Sequence, residues 1–270
     1  MKADLIITTY NRPDALEAVL ISVMQQTMLP GQVIVADDGS TDSTRQLIKQ
    51  YQERFPTRLL HSWQADDGFR AAQSRNRALA QVDSAYVIMI DGDMILERHF
   101  VEDHIRHARE GCFLQAGRIL LTESKTKEIL KDPARSFIPN IFDSGIESRL
   151  EKRLTAFRAV WLATLWKKEL KNRGKVRSCN MSFFMEDIKR VNGFNNTFVG
   201  WGREDSEFVA RLLNAGVKGI LIKFVALGYH LYHKEEPRAA LTQNDEILRM
   251  TINSKSVYCT DGLSKFLADR

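Results

Sequence analysis

Asp91 and Asp93 stand on either side of Gly92 in "AYVIMIDGDMIL", after the apolar run Tyr86–Ile90 and before apolar residues resume at Met94. Two carboxylates delivered to one point by a strand with a buried character cost folding free energy unless a cation compensates them. Oxygen ligands suit Mg2+ or Mn2+, ions that commonly also hold substrate phosphates. Alternate side chains of a regular strand share a face, so Asp91 and Asp93 are expected to point the same way. The competing reading is a surface turn with two solvated acids.

His230 and His233, in "YHLYH", offer imidazole nitrogens to the same cation, since Mn2+ accepts mixed nitrogen and oxygen ligands. Three residues apart on a straight strand they face opposite sides, so both reach one ion only if the chain turns between them. "WGREDSEF" carries a second acidic pair, Glu204 and Asp205, at a helix N-terminus. The helix dipole keeps a carboxylate ionised there, and an ionised carboxylate facing a cleft can take a proton from an attacking hydroxyl. Simple N-terminal charge bias is the alternative. Asp37 and Asp38 follow "VIVA"; one of them could accept hydrogen bonds from a uracil ring or a ribose, or they cap a helix, with Gly39 supplying a sharp turn.

The elements that must position these groups alternate regularly over residues 1–110. "DLIITTY", "QVIVADDG", "RLLHSW" and "AYVIMIDGD" read as strands, with helical patterns in "DALEAVLISVMQQ", "STDSTRQLIKQY" and "AAQSRNRALAQV" between them. Such alternation predicts an α/β fold with a mostly parallel central sheet and helices on both faces. Ligands bind such sheets at the carboxyl ends of the strands. "TTYNRP", "ADDGS" and "DGD" all fall at those ends, and three polar clusters on one edge point to a site. Ser40 or Thr41 is expected to cap the second helix. Beyond residue 178 come a short apolar stretch, a Gly/Asn-rich loop, the helix "EDSEFVARLLNAG" and two strand-like runs.

The 270 residues are 44% apolar and 27% charged, a globular balance. No segment has the roughly 18 uninterrupted apolar residues of a membrane span. Cys112, Cys179 and Cys259 lie far apart without CxxC spacing, which argues against a disulfide framework and a zinc site. The N-terminus does not read as a signal peptide, and the expectation is a cytoplasmic protein. From Arg149 to Arg177 there are ten Lys/Arg and two Glu. Phe157, Val160, Trp161, Leu165 and Trp166 recur there at helical spacing, flanked by Arg153, Arg158, Lys167, Lys168 and Lys171. This basic segment is read as a helical insert. It either packs its apolar stripe on the catalytic domain, or rests on the inner membrane surface or holds a phosphorylated, lipid-linked acceptor.

Together these motifs resemble the family-2 glycosyltransferases of GT-A fold. "TTYNRP", "DDGSTDST" and "DGD" look like that family's nucleotide and metal motifs. "DDGFRAAQSRNRAL" is similar to a segment of bacterial chondroitin-polymerase-like enzymes, and "GFNNTFVGWGREDSEFVARLLNAG" to the acceptor-side motif they share with the β-1,4-galactosyltransferases. The match covers about 1–121 and 179–235, with five motifs in order. The resemblance implies a Rossmann-like nucleotide-sugar-binding half (1–121), an acceptor-side basic insert (122–178), an acceptor and catalytic half (179–237) and a C-terminal tail (238–270). It puts the donor's uridine at Thr9, Asn11, Arg12 and Asp38, with Asp67 and Arg70 near the base and diphosphate, and Asp91 beside the donor. Asp93 and His230 or His233 would bind Mn2+ or Mg2+. Asp205 would be the base, Glu204 would hold the acceptor sugar, and Trp201, Gly202 and Arg203 would line the acceptor pocket. Arg203 stands where relatives often carry glycine, which implies a narrower pocket or one more tolerant of anions.

The implied reaction is a single displacement with inversion. A sugar passes from a nucleoside-diphosphate sugar, UDP-linked, to a hydroxyl of a bacterial surface glycan such as lipopolysaccharide core. Metal and Arg70 would offset the charge on the departing diphosphate. The rival readings are a sugar-nucleotide nucleotidyltransferase, disfavoured because "TTYNRP" has no glycine, and a basic nucleic-acid-binding protein. No nucleic acid is expected, because acidic pairs at the sheet edge would repel phosphates unless metal is present.

Overall fold

The computed structural model describes residues 1–135, 143–146, 153, 155–166, 168–170, 176, 179–234 and 240–267. Its frame is β1 (Ala3–Thr9), α1 (Pro13–Met24), β2 (Gln32–Asp37), α2 (Asp42–Gln52), β3 (Arg58–Trp63), α3 (Ala71–Leu79) and β4 (Tyr86–Asp91). Each strand and helix falls where the apolar periodicity places it. β1, β2 and β4 are buried on both faces, as near-continuous apolar runs require. β5 (Met94–Leu96), α4 (Phe100–His107), β6 (Cys112–Ala116), β7 (Arg118–Leu120) and α5 (Glu123–Lys131) follow. The chain continues through α6 (Val160–Leu165), β8 (Lys168–Glu169), β9 (Asn180–Phe184), α7 (Met185–Arg190), α8 (Glu204–Asn214), β10 (Lys218–Ile222), β11 (Gly228–His230), α9 (Leu241–Ser254) and α10 (Ser264–Leu267).

Among the described residues one sheet of eight strands runs β3-β2-β1-β4-β9-β6-β10-β8, and a second of three runs β5-β11-β7. β1, β2, β3 and β4 pair in parallel, as do β6 and β10, while β9 runs antiparallel between β4 and β6. α1, α2 and α4 bury one face of the large sheet and α3, α7 and α8 the other. A third apolar cluster, including Ile95, Ile119, Leu121, Tyr229 and Leu231, lies around the small sheet.

Register brings the polar clusters together. Thr9 pairs with Asp37 and Thr8 with Asp91, so three strands end on one edge. The start of α2 differs from expectation. Thr41 is the first non-helical residue but its hydroxyl caps no amide. Instead the Thr41 N–H donates to Asn11 Oδ1 at 2.9 Å, and the Asn11 N–H donates to Ser40 Oγ at 2.9 Å. These two bonds tie the residues before α2 to a loop thirty residues upstream without capping the helix itself.

The apolar stripe expected over Phe157–Trp166 is split. Helix forms only over Val160–Leu165. Val160 packs on the main core and Phe157 on the small-sheet core, whereas Trp161 and Leu165 are 68% and 77% exposed. Arg158 is not a solvated flank. It makes two hydrogen bonds, of 2.9 and 2.7 Å, to the fully buried carboxylate of Asp103. Lys167 and Lys171 lie outside the described residues.

Candidate active site

The small sheet explains why "DGD" and the distant histidines meet. The Gly92 N–H donates to Thr8 O at 2.7 Å, and a Cβ at Gly92 would lie 2.8 Å from that same oxygen. Only glycine lets β4 turn this tightly into β5. In the next step of the chain His230 pairs with Met94, and the Leu231 N–H donates to Asp93 O at 2.9 Å. Strand pairing therefore sets Asp93 against the end of β11. β11 stops at His230, so His233 need not face away from it. His230 Nε2 is 3.5 Å from Asp93 Oδ1, and His233 Nε2 is 3.2 Å from Asp93 Oδ2.

These three residues each offer a ligand atom, all within 4.8 Å of one another. Bonds of about 2.1 Å at right angles would put adjacent ligand atoms about 3 Å apart; each histidine nitrogen lies near that distance from one Asp93 oxygen, at 3.5 and 3.2 Å. Asp93 Oδ1 is buried and accepts no hydrogen bond. A mixed imidazole and carboxylate set with an open carboxylate oxygen fits Mn2+ or Mg2+, and the nitrogens favour Mn2+. Burial, reinforced by the positive charge of Arg118, lowers the His230 pKa to about 4, so its ring is neutral with a lone pair to give. Burial raises the Asp93 pKa, against the opposing pull of His233.

Asp91 does not join this cluster directly. Its carboxylate lies 3.7 Å from Arg75 Nη2, and burial raises its pKa against the attraction of Arg75. The two aspartates share a cleft but face different partners, because β4 ends between them. Arg75 itself is 5% exposed and also donates to Glu204 Oε1 at 2.9 Å. Burial opposes its charge, but Glu204 and Asp91 outweigh that and raise its pKa. This one guanidinium bolts the donor edge to the acidic start of α8.

The cleft has a volume of about 1330 Å³. Thr9, Arg12, Asp38, Asp91, Asp93, Trp201, Gly202, Arg203, Glu204, Asp205, His230 and His233 all line it. Asp38 accepts from Gln64 Nε2 at 2.6 Å and from the Arg70 N–H at 2.8 Å. Burial nevertheless raises its pKa to about 6. Its neighbour Asp37 turns inward to the Ser40 N–H and to His61 Nε2, each at 2.8 Å, and is structural. Asp205 Oδ1 accepts its neighbour's Ser206 N–H at 2.6 Å.

Three expected donor residues stand apart. Asn11 spends its side-chain oxygen on α2, as above. Arg70 and Asp67 form an ion pair of 2.7 Å and line an adjoining depression of about 470 Å³. The Arg203 guanidinium is held 2.5 Å from Asp245, so its charge is already matched. The backbone of Arg203 is left-handed, with φ of +78°. That conformation favours glycine, so an arginine here carries backbone strain.

Sequence reasoning missed Arg75 and Arg118. Arg75 stands among Ala71, Ala72, Ala78 and Leu79 on the buried face of α3, and a charge at core spacing was the available signal. Arg118 opens β7 and lines the cleft, with its Nε buried and without a hydrogen-bond partner. Thr8 Oγ1, Thr9 Oγ1, Asp93 Oδ1 and Glu204 Oε2 are likewise buried and lack hydrogen-bond partners in this cleft. Buried polar atoms without partners are rare in native proteins, and among the described residues five of them gather in this one cleft.

A family model described as glycosyl transferase family 2 matches residues 4–185, and one described as N-terminal domain of galactosyltransferase matches residues 163–234. Chondroitin synthase of Pasteurella multocida (strain Pm70) is 26% identical over 247 residues, 86% of this chain and 25% of the relative. Validoxylamine A glucosyltransferase of Streptomyces hygroscopicus subsp. limoneus is 28% identical over 230 residues, 78% of this chain and 48% of the relative. The chain thus spans a quarter to a half of the length of these relatives. Among solved structures, S. aureus TarS 1–349 in complex with UDP-GlcNAc has a TM-score of 0.61 at 17% identity, over 100% of this chain and 71% of that one. A mannosyltransferase from Pyrobaculum calidifontis in complex with GDP-Man and Mn2+ has a TM-score of 0.57 at 14% identity, over 94% and 71%. At these identities the structural likeness shows the fold alone. The chain belongs to glycosyl transferase family 2, and its fold is that of the GT-A glycosyltransferases. The two rival readings of the sequence are set aside with that membership.

Proposed function

We propose that this chain is an inverting, metal-dependent glycosyltransferase. It moves a sugar from a nucleoside-diphosphate sugar, UDP-linked, to a hydroxyl of a bacterial surface glycan such as lipopolysaccharide core. The observation that carries this reading is the convergence of Asp93, His230 and His233 in the same cleft as Glu204 and Asp205. The UDP-GlcNAc of one structural neighbour and the GDP-Man and Mn2+ of another support a nucleotide-sugar donor with a divalent ion.

Asp93, His230 and His233 would hold Mn2+ or Mg2+, which when bound supplies positive charge against the donor's diphosphate. Asp38 accepts hydrogen bonds from the uridine, beside the unsatisfied hydroxyl of Thr9. Arg12 and Arg118 line the cleft where Arg70 does not, and they take the charge-offsetting role expected of Arg70. Glu204, pinned through one oxygen by Arg75, turns its open Oε2 to an acceptor hydroxyl. Asp205 takes the proton from the attacking hydroxyl. The new bond forms on the face of the anomeric carbon opposite the breaking bond to the diphosphate, which inverts the configuration. Residues 1–121 serve the donor and 179–237 the acceptor, with the 122–178 insert beside the acceptor and 238–270 as a tail.

No helix among the described residues is long and apolar enough to cross a membrane. The exposed Trp161 and Leu165, with Trp166 between Lys168 and Lys223, support a peripheral seat on the cytoplasmic face of the inner membrane, near a lipid-linked acceptor. The test of the reaction is a panel of UDP-sugars incubated with the protein and Mn2+, with release of UDP measured, followed by mass analysis of surface glycans from a deletion strain. Release from one sugar nucleotide, lost in chelator, is expected. No release from any member of the panel, with no UDP bound, would overturn the reading.

A further inference from the structure

We infer that Asn244 and Asp245, at the start of α9, are positioning residues that latch the 199–203 loop into its working shape. Both lie outside the two matched family regions, which end at residues 185 and 234. The inference rests on the proposed function for its catalytic consequence, but the latch itself is geometric.

The loop "VGWGR" has little means of holding itself. Gly200, Gly202 and Arg203 all have left-handed backbones, with φ of +76°, +104° and +78°. Glycine-rich chain of this kind has high conformational freedom when unrestrained. Three of its restraints come from α9. Asn244 is 1% exposed, and its Nδ2 donates both to Val199 O at 3.2 Å and to Gly202 O at 2.9 Å. The Asp245 carboxylate holds the Arg203 guanidinium at 2.5 Å, one residue before Glu204. α9 is in turn fixed along α8, where Thr251 Oγ1 donates to Glu207 Oε1 at 3.1 Å. Asn214 Nδ2, near the end of α8, donates to Ser256 O at 2.8 Å.

What the latch holds is functional surface. Trp201 sits between the two carbonyls that Asn244 grips, and it lines the cleft with Gly202 and Arg203. The Gly200 N–H donates to Phe69 O at 2.9 Å, and Phe69 also lines the cleft. The loop therefore bridges α9, the donor-side segment and the start of α8. A side chain with two donors is required, because two carbonyl oxygens must be satisfied from one point. Asparagine meets that requirement and aspartate, of equal size, cannot.

Asn244→Asp replaces the donors by carboxylate oxygens facing carbonyls. Asp245→Ala frees Arg203 at a half-exposed position and is expected to fold normally. Hydrogen exchange of the peptide holding Val199–Arg203, with the Gly200 amide as reporter, reads the latch without any substrate. In Asn244→Asp protection there should fall about tenfold or more, a loss in keeping with two ordinary hydrogen bonds. A smaller fall is expected in Asp245→Ala, and the strands of the large sheet should keep their protection in both. UDP-sugar hydrolysis with Mn2+ gives the second readout. The kcat should drop several-fold in Asn244→Asp while KM for the UDP-sugar and the affinity for UDP stay within about twofold. Unchanged exchange at 199–203 in both folded variants would overturn the latch. Loosened exchange with unaltered kcat would overturn its catalytic role. If the wild type neither binds UDP nor hydrolyses any UDP-sugar, the proposed function fails, and exchange still decides the latch.

Discussion

In the proposed reaction Asp93 and Asp205 have separate parts, and each makes a separate prediction. Asp93→Ala removes the carboxylate that His230 and His233 flank, at 3.5 and 3.2 Å. Mn2+ binding measured by calorimetry should disappear, and Mn2+ should no longer rescue chelator-treated protein. Asp205→Asn is nearly isosteric and removes the proposed proton acceptor. Its kcat should fall by a factor of at least about 10² with UDP affinity nearly intact, and a near-normal kcat would move the base elsewhere. Asp38 gives a pH signature. Its pKa is raised from 3.8 to about 6 by burial. If the ionised form accepts hydrogen bonds from the uridine, affinity is full well above pH 6 and is lost as pH falls through 6 toward 5. Titrations of UDP against wild type and Asp38→Asn separate this from the protonation of the diphosphate itself, since only the wild type should show the extra loss.

Elements show where sequence was enough and where it was not. Strand and helix alternation over residues 1–91 was legible because each buried strand is a run of apolar residues ended by polar ones, whereas β5 and α4 were not read. The shared edge was legible too, because parallel pairing aligns carboxyl ends. Two things depended on contacts far along the chain. The turn after β11 that brings His233 back to Asp93 has no local pattern, since it follows from β5–β11 pairing across more than a hundred residues. The stripe at 157–166 has helical spacing, yet Phe157 precedes the helix and belongs to another core. Arg158 was legible only as a cation, because Asp103 is 55 residues away. That pair is a test of how the insert is tied down. Arg158→Met leaves the fully buried Asp103 with the Ala226 N–H but without its cation. Breaking a buried pair costs about 3 kcal/mol or more, so the urea midpoint should drop clearly. An unchanged midpoint would mean that the 153–166 segment contributes nothing to stability through this tie.

Across the whole molecule, the charge is +5 and unevenly spread, with ten Lys/Arg between residues 149 and 177. The carboxylates of the cleft have cations of their own: Arg75 lies 3.7 Å from Asp91 and 2.9 Å from Glu204, and Arg118 lines the same cleft. Trp161 and Leu165 stay exposed in the middle of that basic segment, and Lys168 and Lys223 sit 4.5 and 3.9 Å from the Trp166 ring. Tryptophan beside lysine suits the boundary between lipid headgroups and acyl chains. Each basic residue near an anionic surface contributes roughly 1 kcal/mol, screened by salt. The wild type should therefore float with anionic liposomes at low salt and release as salt rises. Trp161→Ala with Leu165→Ala should weaken flotation without altering UDP binding, because neither residue lines the cleft. Failure of the wild type to float at low salt would rule out peripheral attachment. Equal flotation of the double variant would place the anchor elsewhere on the surface. Lost flotation with undiminished UDP-sugar hydrolysis would assign the segment to bringing the enzyme to its acceptor and not to the transfer itself.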